Sequence, residues 1–185
     1  ARKPVDPRTI QIVQAQYWKY MSEPHPHLIA WMNPENIQEW YFLAVGLDVP
    51  YLGGEYIFRL TAPDDFPHSP PVFEFMTSNG VYLPGGKICI SVGEFHANDK
   101  PGKDGAHGWR PSLAMVGMAI QVVNGMICSD SLDSGIRIVN LNPTLKSIYA
   151  KSSHSFNWKQ HSKVAMAFEE IITNMPYVEP CYNAR

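Results

Sequence analysis

The sequence predicts an α+β fold: an N-terminal helix, a four-stranded antiparallel meander, a long loop and C-terminal helices. Three observations carry this. Short runs rich in aromatic and β-branched residues follow one another between Leu28 and Thr77, apolar residues recur at helical spacing on either side of them, and Met76 to Trp109 shows no sustained period. Strands grouped together with helices at the ends indicate α+β rather than alternating α/β.

Asp6 before Pro7 reads as an N-cap with proline at the first helical position, and Ile10, Val13, Tyr17 and Tyr20 then share one helical face. A first helix over about 7–21 follows, ended by the two prolines of "SEPHPHL". "LIAWM", "EWYFLAVG", "GEYIFRLTA" and "PVFEFMT" read as strands. In the third, Tyr56, Phe58 and Leu60 alternate with Glu55 and Arg59; in the fourth, Phe73 and Phe75 flank Glu74. "VPYLGG" and "DDFPHSPP" bound the third strand, their prolines excluding helix. Beyond the long loop, Leu113, Val116, Ile120, Val123 and Ile127 mark a buried helix starting after Pro111. A last helix carries Val164, Phe168, Ile171, Ile172 and Met175, with Ser152 or Ser153 as its cap.

With 185 residues, 45% of them hydrophobic and 17% charged, the chain suits a single domain, core about 7–175 and C-terminal tail 176–185. A net charge of -2 without any basic block argues against a nucleic-acid partner. No apolar run reaches the roughly 20 residues of a membrane helix, so no membrane contact is expected from this domain itself. The chain starts without Met and ends at Arg185, as a piece of a longer protein would. Cys89, Cys128 and Cys181 are odd in number and widely spaced, which points to a reducing compartment rather than a disulfide framework or zinc site. "HPH" at His25 to His27 has no third ligand at a suitable spacing and reads as a polar turn, so no metal and no cofactor is expected.

The stretch "LPGGKICISVGEF" sets two readings of Cys89 against each other. Its flanking isoleucines favour burial, since cysteine packs as a small hydrophobe. Its position in a long glycine-rich loop, off any periodic apolar face, favours display, because long loops in compact domains carry function.

The motifs "PYLGGEYIFRL", "FPHSPPVFEF", "KICIS" and "WRPSL", in that order, resemble the ubiquitin-conjugating enzymes, over roughly Pro7 to Met175. "TSNG", "ICISVGEFH" and "NPTLKSI" resemble most the tail-anchored subgroup serving degradation at the endoplasmic reticulum, which has TPN in place of the usual HPN; here Ser78 stands at the middle position. The resemblance implies that the long loop holds the active site and that Cys89 accepts ubiquitin as a thioester from an activating enzyme. That exchange needs an accessible, ionisable sulfur and little else, because the acyl group arrives activated. Discharge to a lysine, or to a serine or threonine hydroxyl, develops negative charge on the carbonyl oxygen. A donor aimed there contributes about 2.7–4 kcal/mol. The resemblance offers Asn79 for this, as donor or as the residue holding the loop, although Asn-Gly pairs also favour turns on their own.

His96 is implied as a possible base and Asn142 as a residue at the mouth of the site. The insertion 97–108 is implied as a gate or chain-building segment, the first helix as the face for the activating enzyme, and Phe66, Pro67, His68, Trp109, Arg110, Pro111 and Ser112 as the ligase-facing patch. The ligase would be RING-type, with His68 standing where an apolar anchor is usual. The implied location is cytoplasmic, on the cytosolic face of the endoplasmic reticulum where a C-terminal anchor follows. Two alternatives within the fold are a conjugating enzyme for another ubiquitin-like modifier, which stays open, and a non-catalytic ubiquitin-binding variant, against which Cys89 beside Asn79 argues; an unrelated cysteine hydrolase is disfavoured by the order of elements.

Overall fold

Asp6 opens the first helix as expected: its carboxylate accepts the Arg8 N–H at 2.8 Å, with Pro7 in the first helical position. In this computed structural model, which describes residues 5–88, 108–129 and 137–174, α1 spans Pro7–Ser22. It buries Val13, Tyr17 and Tyr20 together with Thr9, while Ile10 is half-buried. The Thr9 hydroxyl lies 3.0 Å from the carbonyls of both Asp64 and Phe66, tying α1 to the loop after the third strand.

Strands β1 (Leu28–Met32), β2 (Glu39–Ala44), β3 (Tyr56–Thr61) and β4 (Val72–Phe75) form a four-stranded antiparallel sheet in chain order. The register sets Phe42 opposite Phe58 and Phe58 opposite Phe75, and the Phe58 ring lies 5.3 Å from each of the other two. Each such ring pair adds about 0.5–1.5 kcal/mol beyond its buried area. This face meets α1 and α2 (Ala114–Ile127). On the other face, Ile29, Tyr41, Leu43 and Ile57 pack with Val164 and Phe168 of α4 (Ser162–Asn174). Cover on both faces explains why β2 reads as a nearly continuous apolar run rather than an alternation.

Two expectations about the C-terminal half are corrected. The helix after Pro111 exists, preceded by a 3-10 turn at Pro111–Leu113, but it buries Met115, Met118, Ala119, Val122 and Met126. Ile120 and Ile127, expected in its core face, are 38% and 56% exposed. The helix is apolar nearly all round, so spacing alone does not select the inward face. Ser152 and Ser153 do not cap the last helix; both lie inside α3 (Pro143–Gln160), absent from the expected element order. The buried side of α3 is Lys146, Ala150, Ser153 and Asn157, which carries no apolar stripe to reveal a helix.

Tyr56 is fully buried, and its hydroxyl has no hydrogen-bond partner among the described residues. Burial, and then neighbouring Tyr51, push its pKa well above that of a free phenol. A methyl group on Gly54 would sit 2.3 Å from the Tyr56 oxygen, so glycine there makes room for the ring. Tyr56→Phe is therefore expected to be neutral to stabilising, by up to about 1 kcal/mol in urea unfolding, and a loss of 1 kcal/mol or more would reveal a partner for the hydroxyl.

His25 Nδ1 accepts the His27 backbone N–H at 3.1 Å. His25 is exposed, and partial desolvation of its ring, and then the nearby His27, hold its pKa below that of a free imidazole. The unfolded chain thus binds this proton more tightly than the folded one, and stability should fall as pH drops through about 6.5. The urea midpoint of His25→Gln is expected to fall less between about pH 7.5 and about pH 5.5 than that of the parent. An equal fall in both proteins would contradict the assignment.

Candidate active site

The chain leaves β4 at Phe75 and enters a turn whose two buried polar side chains, Thr77 and Asn79, are both hydrogen-bonded. Thr77, fully buried, accepts the Ile57 N–H on its hydroxyl at 2.8 Å. Asn79, also fully buried, donates its amide to the Thr77 carbonyl at 2.9 Å, and its Oδ1 accepts the N–H groups of Val81 at 2.9 Å and Tyr82 at 2.8 Å. Three bonds from one carboxamide close the turn, an arrangement that Asn adopts because its short side chain reaches its own following backbone. Gly80 has φ +84°, and a Cβ there would lie 2.8 Å from Lys146 Cγ. Conformation and space both demand glycine.

Past the turn, the chain is clamped from two sides. Residues 137–141 run beside it, with the Leu83 N–H to the Arg137 carbonyl at 2.9 Å, the Val139 N–H to Val81 at 2.9 Å and the Leu141 N–H to Gly80 at 2.6 Å. Arg137 also donates Nε to the Leu83 carbonyl at 3.2 Å and Nη2 to the Pro84 carbonyl, bracing "LPGG". Residues 85–88 then fold back along β4, with the Gly85 N–H to the Phe75 carbonyl at 3.1 Å and the Ile88 N–H to the Phe73 carbonyl at 3.0 Å. Ile88 is 2% exposed. The first isoleucine of "ICI" therefore anchors this segment to the sheet edge, one residue before Cys89 in the chain.

A charged group underlies the turn. Lys146, 4% exposed, donates Nζ to Ser129 Oγ at 2.7 Å and to Asn140 Oδ1 at 2.8 Å, and lies 5.8 Å from the centre of the Tyr51 ring. It joins the end of α2, the 137–141 segment and the floor beneath Gly80. Such a buried ammonium needs these oxygens, since an unpartnered one would cost several kcal/mol.

Cys89, His96, Cys181 and residues 97–107 of the insertion lie outside the described residues. Asn142 is exposed and caps α3, its Oδ1 accepting the Leu145 N–H at 3.0 Å. Cys128, exposed, ends α2. Of the ligase-facing residues, Phe66 is 1% exposed and acts as packing rather than contact surface, a correction: it turns inward against Trp109, ring centres 6.1 Å apart. Pro67 and Trp109 are brought together by the Trp109 Nε1 bond to the Pro67 carbonyl at 2.9 Å, and His68, Arg110, Pro111 and Ser112 are exposed around them. Among the described residues no group of three or more His, Cys, Asp or Glu is placed to hold a metal, and no helix is long and apolar enough to cross a membrane. Sequence reasoning missed Arg137, Lys146 and Asn157, which lie in segments without an apolar period; no local signal marks them.

Comparison with known proteins accords with this geometry. The family model described as "Ubiquitin-conjugating enzyme" matches residues 12–173. Relatives include ubiquitin-conjugating enzyme E2 6 of Candida glabrata, 28% identical over 158 residues with 85% of this chain and 59% of that protein covered. E2 6 of Schizosaccharomyces pombe is 32% identical over 139 residues, covering 75% and 56%. E2 34 of Arabidopsis thaliana is 29% identical over 153 residues, covering 81% and 59%. The chain thus spans less than two thirds of the length of these curated relatives. The structure of human ubiquitin-conjugating enzyme E2 G1 superposes with a TM-score of 0.54 at 23% identity, over 67% of this chain and 98% of that one, which establishes the shared fold. With a family match over most of its length, on a helix, a four-stranded meander and C-terminal helices, the chain belongs to the ubiquitin-conjugating enzyme family.

Proposed function

We propose that this chain is a ubiquitin-conjugating enzyme that carries ubiquitin as a thioester on Cys89 and passes it to a substrate nucleophile. The observation that supports this reading most is the doubly clamped segment 80–88, which ends on buried Ile88 immediately before Cys89 in sequence. In loading, the Cys89 thiolate attacks the ubiquitin carbonyl carbon held as a thioester on the activating enzyme. The tetrahedral intermediate collapses and the activating enzyme's thiolate leaves. In discharge, a lysine amine, or a serine or threonine hydroxyl, attacks the same carbonyl; the C–S bond breaks, Cys89 leaves as thiolate, and the nucleophile gives up its proton. His96 is the proposed acceptor of that proton.

Asn79 acts in this scheme by holding the turn. Its carboxamide is buried and bonded to Thr77, Val81 and Tyr82, so its effect on the carbonyl passes through the backbone it fixes. Asn142 starts α3 at the edge of the same turn, next to Leu141. The exposed residues Pro111, Ser112, Arg110 and His68 about the Pro67–Trp109 bond form the proposed surface for a RING-type ligase, and α1 that for the activating enzyme. Likeness of "TSNG", "ICISVGEFH" and "NPTLKSI" to the tail-anchored subgroup supports work on the cytosolic face of the endoplasmic reticulum.

Incubation with activating enzyme, ATP and ubiquitin should give a reductant-sensitive adduct that is absent from Cys89→Ala and becomes reductant-resistant in Cys89→Ser. No adduct with ubiquitin or any ubiquitin-like modifier overturns the reading, and an adduct with another modifier alone reassigns it. His96→Ala should load normally and discharge onto free lysine or serine about a hundredfold more slowly. Unchanged discharge would remove His96 from the mechanism.

A further inference from the structure

We propose that Thr77 and Asn157 are positioning residues for the Asn79 turn, transmitting the fixed geometry of α3 to the thioester site; this rests on the reading above. The Thr77 hydroxyl donates to Asn157 Oδ1 at 2.6 Å while accepting the Ile57 N–H, so it is used in both directions. The Asn157 amide, 2% exposed, donates to the Glu55 carbonyl at 2.8 Å. One turn of helix earlier, Ser153 Oγ accepts the Glu55 N–H at 2.8 Å. Helix α3 thereby holds both backbone groups of the residue preceding β3, and from the same base it holds Thr77.

Thr77 is in turn the residue whose carbonyl receives the Asn79 amide. The line of bonds runs from α3 through Asn157, the Thr77 hydroxyl and the Thr77 carbonyl to the Asn79 carboxamide, and from there to the amides of Val81 and Tyr82. Every group on it is buried, where each bond is strengthened and each vacancy costly. Ser78, in the middle of the turn, has no ring to restrict its backbone, so order at this point must come from the side chains on either side of it.

Loading asks only for an accessible thiol, whereas discharge asks that the carbonyl be held against a fixed turn. Loss of this line should therefore act mainly on discharge. Thr77→Val keeps the shape and removes both hydroxyl bonds; Thr77→Ser keeps the hydroxyl. Thr77→Val is expected to lower discharge onto free lysine, relative to loading, by about ten- to a hundredfold, and Thr77→Ser to restore it. In an Asn79→Ala background, Thr77→Val should produce no further loss, because Thr77 acts through Asn79. Asn157→Asp, which keeps an acceptor for Thr77 in place, should discharge better than Asn157→Leu.

Normal discharge by Thr77→Val, or losses that multiply with Asn79→Ala, would overturn the inference. If the parent protein takes up no modifier, the failure belongs to the catalytic reading. The positioning claim is then read from NMR alone: the Val81 and Tyr82 amide resonances should shift in a Thr77→Val protein that remains folded, with its β2 amides unmoved, and return in Thr77→Ser. Unmoved resonances would overturn it.

Discussion

One buried carboxamide fixes the part of this molecule where chemistry is expected. Val81 and Tyr82 follow a reversal of the chain at Gly80, and both direct their N–H groups to Asn79 Oδ1. Buried N–H groups without an acceptor would cost about 1–3 kcal/mol each, so the turn is stable only with this side chain in place. Everything that follows inherits its position: the Tyr82 ring stacks on Phe75 at 5.4 Å, the carbonyl of Val81 receives the Val139 N–H, and the chain returns to the edge of β4 at Gly85 and Ile88. The same return covers a sheet edge that would otherwise present unpaired backbone groups.

The turn is carried on two supports of different kinds. The aromatic row across β2, β3 and β4 provides a stiff, closely packed base, in which Phe58 touches Phe42, Phe73 and Phe75. Helix α3 provides a polar one, with Lys146 beneath Gly80 and Asn157 beneath Thr77, three helical turns apart on one side. Apolar burial gives the domain its stability and leaves many backbone arrangements nearly equal; directional bonds from α3 select one of them.

The strands were legible because aromatic and β-branched runs bounded by prolines have few other solutions, and α1 because Asp6 and Pro7 announce its start. Helix α3 was not, since its inward side is Lys146, Ala150, Ser153 and Asn157 and only partners distant in sequence make those residues a buried set. The Thr77–Asn157 bond joins positions 80 residues apart. Helix α2 failed differently: methionines and branched aliphatics alternate around it, and the sheet chose the flexible methionines, leaving Ile120 and Ile127 outside. At the candidate site, "NG" pointed to a turn and Ile88 to burial, and each lies where a local pattern meets a local constraint. Phe66 shows the converse: a residue in a surface motif serves as the filler that holds its neighbours outward.

The rigidity of the turn that precedes Cys89 in sequence comes from its buried side chains. Backbone hydrogen exchange at Val81 and Tyr82, resolved by NMR, tests it most directly. Both amides should exchange only through openings close in free energy to global unfolding, at a level shared with the core strands. Exchange at rates near those of an unfolded peptide, in a protein whose β2 and β3 amides remain protected, would mean that Asn79 does not hold the turn.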